Sequence, residues 1–223
     1  MQQKISYEIF SERGKYHEEQ GKENEDAINI VTNGNYVFAI LSDGAGSSKF
    51  AKEASETTVK ACSDFCFENS KKLFNETEIT VKKLIFDIQT SLEQKATEVG
   101  IELSDMICTL VILGINKSTN KYVTIHVGDG LIALNDNKKW NIISYPENGA
   151  TKQYTYFVNS PFVFKHLRVY KGKFNINDEF FISSDGYFEN CNFTEEYINC
   201  LSKSCPKKHN DDTTYCQMKF QMI

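Results

Sequence analysis

The stretch ILSDGAGSS, from Ile40 to Ser48, ends an apolar run with Ser-Asp-Gly. The chain does almost the same at EFFISSDG, from Glu179 to Gly186. A single Asp-Gly after a strand is typical of a turn, because both residues favour tight backbone conformations. Two such endings suggest instead that two strands deliver a pair of carboxylates to one place.

The segments around the first stretch alternate strand patterns with long helices. DAINIV and YVFAILSD flank the Asn-Gly of TNGN at 32–35, a strong hairpin signal. Apolar residues at helical spacing predict helices over 48–72 and 78–99. MICTLVILGI at 106–115 is typical of a buried strand, and the pattern over 121–144 indicates a meander of three short strands.

The second half of the chain predicts two more strands, a short helix and a final strand, at 162–172, 179–185, 195–203 and 213–221. Thr194 is the expected N-cap of the short helix. Strands, two long helices, strands, one helix and a last strand make an α+β order in which hairpins join most strands. No linker-like or repeated segment interrupts the sequence, so we expect one domain over residues 1–223.

Composition argues against several classes of protein. The 223 residues carry a net charge of −5 with scattered lysines, which disfavours a nucleic-acid partner. No apolar run reaches the length of a membrane span, and the N-terminus has no apolar signal core, so we expect a cytoplasmic protein without a membrane segment. The seven cysteines are odd in number and form no CxxC pair, which predicts buried thiols rather than disulfides or a zinc site.

Acidic residues recur at the ends of the predicted strands, as Glu25-Asp26, Asp43, Asp129, Asp185 and Asp211-Asp212. If the first hairpin turns at Asn33-Gly34, Asp26 and Asp43 lie at the same open end. Crowded carboxylates raise one another's pKa, and a shared divalent cation removes that repulsion. Oxygen ligands without His or Cys clusters favour Mg²⁺ or Mn²⁺, and two such ions can activate water and neutralise a phosphoryl group.

The ordered set of motifs resembles the metal-dependent protein serine/threonine phosphatases of type 2C, especially their compact bacterial branch. The motifs are NEDA at 24–27, SDGAGSS at 42–48, CTLVILGI at 108–115, HVGDG at 126–130, SSDGYFEN at 183–190 and NDDTT at 210–214. The resemblance implies a four-layer α-β-β-α sandwich with two central, mainly antiparallel sheets. It also implies hydrolysis of phosphoserine and phosphothreonine by direct attack of a hydroxide that bridges two Mg²⁺ or Mn²⁺ ions.

The resemblance assigns metal-binding roles residue by residue. The implied ligands are Asp26, Asp43, the Gly44 carbonyl, Asp185 and Asp211 for two ions, and Asp129 and Glu189 for a weaker third. Asp43 would bridge the two main ions, and Glu25 would act in the second shell or through water. Relatives often carry aspartate where Glu189 stands. The glutamate side chain is longer by one methylene group, which would alter the affinity of this site for the third ion.

Two positions depart from the family pattern. Many relatives bind the phosphate with an arginine near the first acidic motif, where this chain has Gly21. His17, Lys22 and Arg13 are the candidates for replacing it, and we favour His17 as a catalytic residue. Ala45 stands where some eukaryotic relatives carry a histidine that is thought to donate a proton, so a metal-bound water or His17 would protonate the leaving alkoxide instead.

The remaining histidines are predicted to be structural or exposed. His126 and His166 lie in predicted strands and are expected to be satisfied structural side chains, whereas His209 lies in a polar loop and is expected to face solvent. The segment 145–162 stands where relatives carry a flap beside the active site. Because this segment is short, we expect an open metal site with little grip on the peptide sequence.

The resemblance implies a monomer acting on a phosphorylated protein, with a protein kinase as partner. Two alternatives stay open: a catalytically inactive binding module, and a small-molecule phosphoesterase of the same fold. The core acids Asp26, Asp43, Asp185 and Asp211 are all present, which favours an active enzyme over an inactive one.

Overall fold

Strands in the computed structural model follow the apolar runs of the sequence. The structure describes residues 3–149, 155–189, 191, 194–203 and 209–222. Within these residues the strands are β1 Gln3–Glu12, β2 Asp26–Asn33, β3 Tyr36–Asp43, β4 Leu110–Asn116, β5 Lys121–Val127, β6 Leu131–Asn135, β7 Trp140–Ser144, β8 Arg168–Lys173, β9 Glu179–Ser183 and β10 Thr213–Met222.

The strands form two sheets in which every pairing is antiparallel. Sheet A has the order β1-β10-β9-β6-β7, and sheet B has the order β2-β3-β4-β5-β8. Hairpins connect β2 with β3, β4 with β5 and β6 with β7. In the first hairpin Asn33 pairs with Tyr36, so the two-residue loop is Gly34-Asn35, and Gly34 takes the positive φ of 58° that this tight turn requires.

Helices cover the outer faces of the sheets. They are α1 Lys15–Gln20, α2 Ala51–Asn75, α3 Thr77–Val99, α4 Val163–His166 and α5 Thr194–Lys203, with 3₁₀ turns at Leu103–Asp105 and Asp185–Phe188. The predicted long helices are therefore confirmed to within three residues at each end. None of the helices in the described part of the chain has the length and apolar character needed to cross a bilayer.

Three apolar clusters define the layers. Alternate residues of β3 and β4, such as Ala39 and Val111, pack against Phe180 and Met218 of sheet A and form the core between the two sheets. The opposite face of sheet B packs on α2 and α3, and the opposite face of sheet A packs on the Asp185–Phe188 turn and α5. The predicted four-layer α-β-β-α sandwich is confirmed.

Three parts of the fold differ from the sequence prediction. The three strands predicted as one meander over 121–144 lie in different sheets, because β5 belongs to sheet B whereas β6 and β7 belong to sheet A. The segment predicted as a strand over 162–172 begins as helix α4, so His166 lies on a helix and not on a strand. Its ring stacks on Tyr156 at 3.4 Å between ring centroids, and this tertiary contact is invisible to local pattern. Strand β1 was not predicted, although Ile5, Tyr7 and Ile9 alternate with polar residues, and it pairs with β10 over its full length.

Phe180 tests the importance of the core between the sheets. Its side chain is fully buried and contacts the rings of Tyr122, Phe174 and Phe220 at centroid distances of 5.3, 5.7 and 5.8 Å. We expect Phe180→Ala to lower the free energy of unfolding by about 3–5 kcal/mol, because it leaves a cavity in a close-packed core. Urea unfolding followed by circular dichroism measures the loss. Phe67→Ala, at a half-exposed helical position, should change it by at most about 0.5 kcal/mol. Equal losses in both variants would contradict this account of the core.

Candidate active site

Strand ends from both sheets bring the predicted acids to one place. Asp26 and Asp43 are direct partners in the β2–β3 register, as the hairpin prediction requires. Asp185 begins the 3₁₀ turn just after β9, Asp129 lies between β5 and β6, and Asp211 precedes β10. The arrangement follows from topology, because each acid sits where a strand starts or stops at the same edge of the sandwich.

These acids surround a cavity of about 690 Å³. Among its lining residues are six of the seven predicted metal-binding residues and the predicted catalytic histidine: Asp43, Gly44, Asp129, Asp185, Glu189, Asp211 and His17. The seventh, Asp26, is buried beside the cavity rather than on its wall. No lysine or arginine that the structure describes lines the cavity, so its charge is strongly negative.

Asp26 is held in a dry position under the cavity. Its Oδ2 accepts a hydrogen bond of 2.8 Å from the Ser184 hydroxyl, while Oδ1 is buried with no hydrogen-bond partner in the described part of the chain. Burial raises the pKa of Asp26 well above its usual value, against the hydrogen bond from Ser184. Asp185 also has a buried oxygen, Oδ1, for which the described residues supply no partner.

The other acids share the same electrostatic problem. Burial, followed by the charges of Asp26, Asp185, Asp211 and Asp129, raises the pKa of Asp43 well above its usual value. Burial, followed by the charges of Asp129 and Asp211, does the same for Asp185. Burial is also the main cause that raises the pKa of Asp129 to about 6 and the pKa of Asp211 above its usual value.

A hard divalent cation fits this set of donors. A bound cation would supply a partner for the buried carboxylate oxygens and reduce their mutual repulsion, which no lysine or arginine among the described lining residues does. An all-oxygen donor set is the one that Mg²⁺ and Mn²⁺ prefer. The described side chains do not already stand as a cage of three or more ligands. One oxygen of Asp26 is engaged with Ser184, so a small rotation of this side chain would precede ligation.

Gly44 shows why glycine follows the first aspartate. Its amide donates to the Glu25 carbonyl at 3.2 Å, and a β-carbon at this position would collide with the Ala51 carbonyl at the start of α2. The absence of a side chain therefore lets the backbone pass between β2 and α2 and reach the cavity wall. The role of the Gly44 carbonyl as a metal ligand stays a prediction.

His17 is the candidate for phosphate contact that lies on the cavity wall. The side chain is 4% exposed, with Nδ1 2.8 Å from Asp212 Oδ2 and Nε2 3.4 Å from Glu25 Oε2. Lys22 and Arg13 are not among the described lining residues. The Lys22 ammonium instead contacts Glu25 Oε1 at 3.1 Å and the Gly46 carbonyl at 2.9 Å, and Arg13 donates to the Lys22 carbonyl at 2.9 Å.

Asp212 is the residue that the sequence interpretation missed. It is 3% exposed, and its carboxylate accepts hydrogen bonds from the backbone amides of Gly14 at 2.8 Å and Glu25 at 2.5 Å. It therefore ties the start of α1 and the first acidic motif to the segment that carries Asp211. The sequence shows two adjacent aspartates in NDDTT, but no local pattern predicts that the side chain of the second one is buried.

The segment around His209 corrects a second expectation. His209 was expected to face solvent but is buried, because its carbonyl accepts from the Lys15 amide at 3.1 Å and its ring stacks near that of Tyr187. Glu189 accepts hydrogen bonds from the Asn210 amide at 3.0 Å and from the Asn210 side chain at 3.3 Å. Glu189 thus supports the loop that presents Asp211, and its role toward a third ion stays a prediction.

The segment predicted as a short flap forms one side of the cavity. Thr155 and Phe157 line the cavity, and residues 150–154 of the flap lie outside the described residues. Arg168 anchors the segment by donating to the Tyr145 carbonyl and, at 2.5 Å, to the Gly128 carbonyl, and by pairing with Glu147 at 3.3 Å. The described part of the flap is therefore a wall fixed beside Asp129.

His126 is buried between the sheets, and the expectation of a satisfied structural side chain is met at one ring nitrogen only, because Nε2 is buried without a hydrogen-bond partner among the described residues. Its Nδ1 lies 2.7 Å from the Ser144 hydroxyl, which links the two sheets. Burial, with the nearby charge of Arg168, lowers the pKa of His126 well below its usual value, so the ring is neutral.

The fold is a four-layer α-β-β-α sandwich, and the site is an acidic cavity at one edge of it. Comparison with known proteins gives the family. A family model described as protein phosphatase 2C matches residues 13–214. The chain belongs to the protein phosphatase 2C family, and its class is that of the metal-dependent protein serine/threonine phosphatases. No curated protein matches the chain in sequence.

Solved structures with the same fold include bacterial serine/threonine phosphatases. Stp1 from Staphylococcus aureus is 15% identical, with a TM-score of 0.71 over 97% of this chain and 95% of that chain. The S. agalactiae serine/threonine phosphatase is 14% identical, with a TM-score of 0.72 over 97% and 99%. RsbX, solved in complex with magnesium, is 15% identical, with a TM-score of 0.63 over 97% and 96%. At these identities the likeness establishes the fold.

Because the acids repel one another, neutralising one of them should stabilise the metal-free protein. We expect Asp43→Asn to raise the melting temperature of the EDTA-treated protein, by about 2–4 °C for each kcal/mol of repulsion removed. The sign follows because a carboxylate whose pKa is raised by folding destabilises the fold at neutral pH, where the same group is ionised in the unfolded chain. Differential scanning fluorimetry measures the shift.

The same variant should lose the stabilisation that Mn²⁺ gives to the wild type, since a ligand that binds only the folded state raises its stability. Asp87→Asn removes the same charge at an exposed position on α3 and should change neither quantity. A lower melting temperature of Asp43→Asn in EDTA, or a wild-type response to Mn²⁺ in this variant, would refute the assignment of Asp43.

Proposed function

We propose that this chain hydrolyses phosphoserine and phosphothreonine in proteins with the help of two Mg²⁺ or Mn²⁺ ions. The observation that carries the proposal is the convergence of Asp43, Asp129, Asp185 and Asp211 on one cavity that no described lysine or arginine lines. Family membership supports the reaction class, and the acidic centre supports the dependence on divalent cations.

The residues divide into groups around the cations. Asp26, Asp43 and the Gly44 carbonyl would hold one ion, with Asp43 shared between two, while Asp185 and Asp211 would hold the other. Asp129 and Glu189 would serve a weaker third ion. When bound, the ions supply an activated water for direct attack on phosphorus and offset the charge of the phosphoryl oxygens.

The chain's own residues orient these groups. The Ser184 hydroxyl donates a hydrogen bond to one oxygen of Asp26, and the Thr109 hydroxyl accepts a hydrogen bond of 3.1 Å from the Asp43 amide. These contacts fix Asp26 and Asp43 at the open end of the first hairpin. Glu189 positions the Asn210-Asp211 backbone. Thr155 and Phe157 line the cavity together with Asp129.

The proposal includes a cytoplasmic, monomeric enzyme, with a phosphorylated protein as substrate and a protein kinase as the source of the phosphate. These features rest on the family and on the sequence interpretation. The short segment 145–162 supports weak selection of the sequence around the phosphorylated residue.

Phosphate release from a phosphothreonine peptide tests the function. We expect the wild type to release phosphate with Mn²⁺ or Mg²⁺ and not with EDTA, and Asp43→Asn to lose about 100-fold or more of the rate, since a metal-bound site is worth several kcal/mol of transition-state stabilisation. Asp87→Asn should keep the wild-type rate.

Three outcomes would contradict the proposal. A wild-type protein that binds Mn²⁺ yet releases no phosphate would be an inactive binding module. Faster turnover of small phosphomonoesters than of phosphopeptides would identify a small-molecule phosphoesterase. Full activity of Asp43→Asn would show that the acidic centre takes no part in the reaction.

A further inference from the structure

Two cysteine side chains in the second half of the chain are in direct contact. Cys191 follows the Asp185–Phe188 turn, Cys200 lies on α5, and their Sγ atoms are 3.1 Å apart. Non-bonded heavy atoms rest at about 3.5–4.0 Å, so the two thiols are closer than ordinary packing requires. A disulfide bond of about 2.05 Å needs a further approach of roughly 1 Å.

The contact belongs to a packed interface between α5 and the turn. The Cys191 amide donates a hydrogen bond of 2.8 Å to the Phe188 carbonyl, which ties the backbone of Cys191 to the turn. The Phe188 ring packs edge-on against the ring of Tyr197 on α5, with 5.1 Å between the centroids. Leu201, also on α5, belongs to the same apolar cluster as Cys191. Neighbours other than the cysteines therefore hold the backbone on both sides of the sulfur contact.

The two sulfurs differ in their access to solvent. Cys200 is half-buried, so a small oxidant can reach its thiol. Cys191 is 4% exposed and is sheltered in the apolar cluster. An accessible thiol beside a sheltered one is the arrangement in which the first is oxidised and the second then resolves it to a disulfide.

The other cysteines that the structure describes lack these properties. Each is at most 1% exposed, and burial raises the pKa of its thiol, whereas the thiolate is the form that reacts with oxidants. These residues are Cys62, Cys66, Cys108 and Cys216. The seventh cysteine, Cys205, lies outside the described residues.

A soft metal ion is the other chemistry that a pair of thiols can serve. A structural zinc ion needs four ligands from cysteine, histidine or acidic side chains. Among the described residues, no group of three or more such side chains is placed to hold a metal ion. The contact of Cys191 with Cys200 therefore favours bond formation between the sulfurs over metal binding.

We propose that Cys191 and Cys200 form a modification site at which a peroxide converts the two thiols into an intramolecular disulfide. The Cys200 sulfur attacks one oxygen of hydrogen peroxide, the O–O bond breaks, and a sulfenic acid and one water form. The Cys191 sulfur then attacks the sulfenic sulfur, so that the S–S bond forms, the S–O bond breaks and a second water leaves. The two thiols lose two electrons and two protons, and the peroxide takes up both.

The disulfide clamps α5 to the segment that carries Asp185. Cys191 and Asp185 line the same small cavity of about 140 Å³, together with Tyr197 of α5. The modification thus lies at the margin of the candidate active site, and it does not depend on the proposed phosphatase reaction. A dithiol reductant restores the two thiols by thiol–disulfide exchange.

Peroxide treatment of the full-length, EDTA-treated protein tests the site. We expect the number of thiols that iodoacetamide alkylates after denaturation to fall from seven to five. Trypsin cleavage after Lys173 and Lys203 releases both cysteines on one peptide, which should lose the mass of two hydrogen atoms. Cleavage after Glu195 or Glu196 separates the cysteines, so the two fragments should stay joined until a dithiol is added.

Hydrogen exchange measures the clamp. The backbone amides of α5 should exchange about tenfold or more slowly in the oxidised protein than in the reduced protein, because the disulfide opposes local opening of α5 from the turn. The amides of α3, which packs on the other sheet, should exchange at the same rate in both forms.

Single substitutions assign the two steps. In Cys191→Ser the sulfenic acid on Cys200 has no thiol to resolve it, so dimedone should label Cys200 after peroxide treatment. Cys200→Ser should leave Cys191 as a thiol at the same peroxide dose. Cys205→Ser retains the pair and should form the disulfide as the wild type does. Peptide mapping of the wild type decides the question even if a variant fails to fold.

Three results would overturn the proposal. Seven intact thiols, at a peroxide dose that oxidises free glutathione, would show that the pair is inert. A disulfide from Cys205 to either cysteine, or one between two chains, would place the modification elsewhere. Unchanged exchange of α5 in the disulfide form would refute the clamp. None of these measurements uses phosphate release, so a failure of the proposed phosphatase function is a separate outcome.

Discussion

Crowding of carboxylates at one edge of the sandwich is the constraint on which the site depends. Burial and neighbouring negative charges raise the pKa of Asp43 and Asp185, and no described lysine or arginine on the cavity wall compensates them. A protein selected for stability alone would replace several of these acids, because buried like charges oppose folding. Their presence in one place is physical evidence for a cation-dependent function, independent of family membership.

The sandwich architecture fixes the positions of these crowded acids. Antiparallel pairing fixes Asp26 opposite Asp43, and the packing of sheet A on sheet B brings Asp185 and Asp211 to the same edge. The acids lie on the terminal residues of strands or just beyond them, so the apolar interior of the strands is untouched and carries the stability. Chemistry and packing are therefore separated along each strand, with only one or two residues at its end assigned to the site.

Sequence predicts most of this arrangement where the signal is local. The Asn33-Gly34 signal places the first hairpin to within one residue of its loop, and the apolar runs and the two helical periodicities give most strands and α2 and α3. The acids at strand ends give the composition of the site, since each lies beside a recognisable strand. The inward turn of Asp212, the burial of His209 and the helical start at Val163–His166 depend on contacts with distant residues, and local patterns carry no information about such contacts.

Strand β1 shows what long-range pairing means for the order of folding. It pairs with β10 from Gln3↔Met222 to Glu12↔Thr213, and the Gly14–Asp212 hydrogen bond that continues this pairing joins residues 198 positions apart. Closing so large a loop carries a greater entropic cost than closing the local hairpins, so it belongs to the late stage of folding. During synthesis, the first hairpin can align Asp26 with Asp43 long before Asp211 and Asp212 leave the ribosome. An incomplete chain lacks Asp211 and therefore cannot assemble the full acidic centre. The centre is complete only after the last strand, β10, has paired with β1.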